Sequence, residues 1–184
     1  MNAPFASLRT QRGASLIIVL FFLVMLSVLG ITAVRTSSLE EKMTGNERDR
    51  QLAFQAAESA LRDAEREIFQ SLSATSPFTS GCANGLCMPS TTAVPQWEAV
   101  DWMSATPRAY GAFSGAGPYP VANLARAPRY IVELLPPMPP SAGNSAGLGA
   151  RASTTGGTPF RITAVGWGRR ATTQVRLQSV FVRL

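Results

Sequence analysis

The chain has 184 residues, 46% of them apolar, with a formal charge of +6 and no histidine. The missing His excludes the commonest general base, metal ligand and triad base. From Pro77 onward nine Arg meet three acids, whereas eight bases balance eight acids before it, so the basic excess is C-terminal, and its spread reads as a solvated surface rather than a clustered site for an acidic partner.

The first element is "TQRGASLIIVLFFLVMLSVLGITAV", Thr10 to Val34, in which Arg9 and Arg12 precede about 21 uncharged residues. That length suffices to cross a bilayer. It exceeds the short core of a secretory signal, although Gly30, Thr32 and Ala33 leave a signal-type cleavage open. A plain membrane anchor fits the length. The basic flank favours a cytoplasmic N-terminus, with everything after Val34 outside. A third possibility is cleavage after Gly13, which would remove residues 1–13 as a hydrophilic leader and keep the apolar run.

Next comes "LEEKMTGNERDRQLAFQAAESALRDAEREIF", Leu39 to Phe69, rich in strong helix formers. Ala53, Ala56, Ala57, Ala60, Leu61, Ala64 and Ile68 recur at spacings of three and four, while Glu58, Arg62, Asp63, Glu65 and Arg66 fall largely off that stripe. The spacing predicts an amphipathic helix whose small-residue face permits close approach of a sheet or another helix. No Pro lies between Ala14 and Ser76, so one helix could run from the apolar segment to about Ser71, a rod of about 85 Å. Gly45 and Asn46 make a kink near Thr44–Asn46 the alternative. The charged band Glu40–Arg50 could match charges on neighbouring subunits or be a solvated face.

The stretch Pro77 to Ala127 is rich in Gly, Pro and Ser and has few regular patterns. Within it, Cys82 and Cys87 in "GCANGLC" cannot form a four-ligand zinc site alone. Outside the cytoplasm a disulfide closing a small loop is favoured; two free thiols are the alternative. Trp97 and Trp102 could stack on a sugar or a partner, but a small head has little else to bury, which favours packing. "GAFSGAGPYP" reads as loop.

"RYIVELL", Arg129 to Leu135, reads as a strand. A Pro/Gly/Ser-rich mobile loop follows over 136–159. "FRITAVGW" is a strand, Gly168–Arg169–Arg170 a turn, and "ATTQVRLQSVFVRL" a final strand. The last strand places Val175, Leu177 and Phe181 on one face and Gln174, Arg176 and Gln178 on the other. These elements predict an α+β fold in which an antiparallel sheet of three or more strands covers the alanine stripe.

The leader "QRG", the run "ASLIIVLFFLVML", the stretch "SSLEEKMTGNERDRQLAFQAAESALRDAE" and the ending "FRITAVGWGRRATTQVRLQSVF" together resemble PilX-type minor pilins of type IV pili, over roughly residues 9–70 and 128–184. The resemblance implies a lollipop-shaped filament subunit. Residues 14–34 would be its transmembrane and assembly segment, 35–71 the amphipathic periplasmic half of the helix, and 72–184 the head. It implies cleavage by prepilin peptidase between Gly13 and Ala14, N-methylation of Ala14, and an inner-membrane precursor with a periplasmic head that later joins the pilus fibre or tip. It further implies partners among other minor pilins and the major pilin, a role in priming assembly within a tip complex, and display of a tip adhesin, in pili used for adhesion or twitching motility.

One departure carries physical content. Most major pilins have Glu at the fifth residue after the cleavage point, and here that residue is Ile18. A carboxylate in an apolar filament core needs a counter-charge, which in pilins is the neighbour's N-terminal ammonium. The tip pseudopilin of type II secretion systems resembles this chain in lacking that Glu, which points to a place at or near the tip. Ala14, where many pilins have Phe, is a second departure.

The leading reading is therefore a structural, non-enzymatic minor pilin without cofactor or metal. The alternative is a pilus-borne binding module for DNA, a glycan or an adhesin, but no aromatic and basic interleaving supports a DNA site. A membrane-anchored enzyme fits poorly, because "GNSAGLG" is a low-complexity loop rather than a phosphate cradle after a strand.

Overall fold

The computed structural model describes residues 14–137 and 157–183. The leader 1–13 and most of the expected loop, 138–156, lie outside the described residues. The element order is α1 (Ala14–Gln70), a 3-10 turn (Ala83–Gly85), β1 (Leu86–Cys87), α2 (Gln96–Ala99), β2 (Arg108–Ala109), β3 (Arg129–Leu134), β4 (Thr158–Trp167) and β5 (Gln174–Arg183). The chain divides into two compact units, Met1–Asn46 and Glu47–Leu184.

The described part of the first unit is helical throughout, and Thr44–Asn46 carry the helical assignment where a kink was the alternative. By length and composition α1 contains a segment able to cross a membrane. Two hydroxyls in its apolar run are satisfied on the helix itself: Ser27 Oγ donates to Leu23 O at 2.7 Å and Thr32 Oγ1 to Leu29 O at 2.8 Å. Such back-bonding hides a polar group that an apolar environment would otherwise leave unpaired.

The second unit is a helix layer on a five-stranded sheet. The path through the sheet is β1-β3-β4-β5, and β2 pairs with the remaining part of the β3 edge. The β2, β4 and β5 pairings are antiparallel, but β1 runs parallel to β3, so the sheet is mixed rather than purely antiparallel as expected. β1 has only two residues, too few to show a period in the sequence. β4 begins at Thr158, which moves Thr158 and Pro159 from the expected loop 136–159 into the sheet. β5 begins at Gln174, and Ala171–Thr173 join the turn, where Gly168 N donates to Thr173 O at 2.9 Å.

Two cores lie on opposite faces of the sheet. On the helix side Ala60, Ala64 and Ile68 pack against Tyr130, Val132, Phe160, Ile162 and Ala164, with the half-buried Leu61 and Phe181 beside them. The alternation along β5 follows the expectation: Val175, Leu177 and Phe181 are half-buried, and Gln174, Arg176 and Gln178 are exposed. Helix and sheet approach closely at Gly166, where an added Cβ would stand 2.2 Å from Ala53 O and 2.4 Å from Ala57 N. A stripe of alanines facing a glycine is what allows this spacing. On the other face Ile131, Val165 and Trp167 pack beneath Cys82, Cys87 and Trp102.

Candidate functional site

α1 holds the residues that the sequence singled out for assembly. Ala14 is its first residue, Gly13 lies outside the described residues, and Ile18 sits four positions into the helix with 55% of its surface exposed. The side chains from Leu16 to Leu26 are nearly all large, apolar and exposed. Monomeric soluble proteins rarely show so long a run, and it marks a surface made for lipid or for other helices. The uninterrupted series includes Ile18, so no carboxylate stands in this part of the helix.

Further along, α1 anchors the head through carboxylates that the sequence hid. Asp63, expected off the packed stripe, is buried, as is Glu67 one turn later. Asp63 Oδ2 accepts the Gly111 N–H at 2.7 Å, and its Oδ1 accepts the Ser114 hydroxyl. Glu67 accepts from the Arg108 guanidinium on one oxygen and from the Tyr130 hydroxyl at 2.7 Å on the other. Arg108 Nε also donates to Asn84 O, so this one side chain joins helix α1, strand β2 and the cystine loop. Burial, with the Asp63 carboxylate nearby, pushes the Tyr130 hydroxyl well above its usual value, and burial lowers the Arg108 guanidinium. Both carboxylates fall on the phase of Ala53, Ala56, Ala60 and Ala64, and that phase was the signal available in the sequence.

Asp49 does the same at the other end of the sheet. Its Oδ1 accepts the Arg169 N–H at 2.6 Å in the β4–β5 turn. The Thr173 hydroxyl, the Arg169 N–H and the charge of Arg170 hold this carboxyl below the usual carboxylate range, against the opposing effect of burial. Asp49 thus leaves the charged band Glu40–Arg50, which was read as a matching or solvated surface.

Cys82 and Cys87 are joined in a disulfide. The ring reverses through three left-handed residues, Cys82, Asn84 and Gly85. Gly85 is required twice over, by its φ of 68° and because a Cβ would meet Arg108 Cγ at 2.8 Å. Trp102 is buried and its Nε1 donates to Trp97 O at 2.9 Å, in line with packing rather than an open sugar platform. The Arg176 guanidinium lies 4.7 Å from the Trp97 ring and 5.7 Å from that of Trp102. The aromatic pair and the assembly segment belong to different units. The former is head packing, and the latter is a bare apolar surface.

Two family models match the chain. Residues 12–62 match the PilX N-terminal family model, and residues 83–183 match the model described as Type IV pilus assembly protein PilX C-term. No curated protein and no solved structure matches the chain. With its N-terminal helix and most of its head each matched, the chain belongs to the type IV pilus assembly protein PilX family and is a pilus assembly-related minor pilin.

Proposed function

We propose that the chain is a non-catalytic filament subunit that helps prime pilus assembly from a position at or near the tip, alongside other minor pilins. In the precursor, α1 anchors the subunit in the inner membrane with the head in the periplasm. Cleavage between Gly13 and Ala14 and methylation of Ala14 then release the helix for assembly, in which helix packing replaces lipid contact. The observation that carries the tip position is Ile18. An incoming subunit with a carboxylate there neutralises the ammonium of a subunit already in the fibre. A subunit that is apolar at this position joins first and leaves its own ammonium to be met by the next.

The test is Ile18→Glu in cells, read as pili per cell with the protein level held equal. An initiating subunit loses pili because the new carboxylate is buried without a partner. An unchanged pilus count would contradict the tip position. Loss of pili together with loss of the protein would report a failure of insertion, and the protein blot separates the two.

A further inference from the structure

The outer edge of β5 has the features of an unguarded docking strand. Among the described residues β5 has a single neighbour, β4, and the opposite side of its backbone is unpaired over ten residues. The β4–β5 register runs without a skipped residue from Thr158–Arg183 to Trp167–Gln174, so no bulge turns the edge away. The sequence "QVRLQSVFVR" contains no Pro, Gly or acid. Natural edges are normally blunted by such devices or by outward charges.

Both charges on β5 also contact other parts of the head. Arg176 lies over the Trp97 and Trp102 rings. The Arg183 guanidinium donates to Ile68 O at 3.2 Å and to Leu72 O, at the end of α1. Val180 and Val182 stand 58% and 38% exposed on the face away from the helix, beside the edge. The opposite edge of the sheet is covered, because β1 and β2 divide β3 between them.

We propose that the free edge of β5 receives an extended segment of a second protein, added as a sixth strand, whose side chains on the outer face are apolar at one end and acidic at the other. The apolar positions would lie beside Val180 and Val182. The acidic ones, at the end nearer the β4–β5 turn, meet Arg176 on the outer face and the exposed Arg169 in that turn. The same charges argue against a second copy of this chain, since two β5 strands side by side bring arginines together with no acid on either. This surface lies on the head and is independent of the assembly helix.

The experiment is amide hydrogen exchange on the full chain in detergent micelles. The probes are two synthetic decapeptides of alternating Val and Thr, with either Glu or Lys in place of the two Val nearest one end. Alternate β5 amides exchange rapidly in the free chain. The Glu peptide slows them at least tenfold, and the Lys peptide does not. Val180→Glu with Val182→Glu, at exposed positions, abolishes that protection while the circular dichroism stays unchanged. Proline at the two successive positions Gln178 and Ser179, tested singly, supplies a second check, because only one of them directs its N–H outward. That variant keeps the fold and loses the peptide. The proposal is overturned if the Glu peptide gives no protection, if both peptides protect equally, or if the free chain protects the same amides by self-association at rising concentration.

Discussion

Arg108 and Glu67 show what a buried charge does in this head. Both are buried, they are paired, and Tyr130 satisfies the second oxygen of Glu67. Arg108→Ala leaves that carboxylate without its counter-charge and should cost about 3–5 kcal/mol in chemical unfolding. Replacing both residues by apolar ones of similar volume should cost less than the single change. A double replacement that costs as much as the single change or more would contradict this. Glu133 is the opposite case. Its Oε2 is buried, has no hydrogen-bond partner, and lies 3.6 Å from Arg161 Nη1. Burial raises this carboxyl above its ordinary value despite the arginine, so the fold holds its proton more tightly than the unfolded chain does. Stability therefore falls as pH rises through the window that opens at the unfolded value of about 4.3. Glu133→Gln should melt above the parent at pH 7, and the difference should vanish as the pH is lowered toward about 4. A variant that melts lower at pH 7 would show that the contact with Arg161 outweighs burial.

At the scale of elements, helix and sheet meet through missing atoms. Gly166 sits against the backbone of Ala53 and Ala57, so Gly166→Ala forces the two layers apart. The expected cost is about 1–3 kcal/mol, measured by thermal melts, as for other overpacked cores. A neutral result would mean that the layers are free to separate. The disulfide encloses a short ring, and converting Cys82 and Cys87 to Ser should cost about 2 kcal/mol from loop closure alone. The alanine stripe and the strands β3, β4 and β5 were legible because each repeats its pattern over six or more residues of one element. The organisation of 77–127 was not legible. It depends on Asp63 reaching Gly111 and Ser114, 48 and 51 positions away, and no local period records such a contact. Asp49 and Asp63 were misread, and Glu67 passed over, for a related reason, because a charged residue on a helix reads as solvent-facing unless its partner is in view.

For the whole molecule, the family matches and the exposed apolar run of α1 agree on a pilus assembly-related minor pilin whose N-terminal helix fits membrane anchoring. The proposed account makes the boundary between Gly13 and Ala14 the step that commits it to that path. A plain anchor and a filament subunit share the same apolar helix and differ only in what happens at this boundary. The deciding measurement is the intact N-terminal mass of the protein isolated from piliated cells. The account predicts a chain that starts at N-methylated Ala14. A chain that keeps Met1, or one that begins near Ala33, would contradict it.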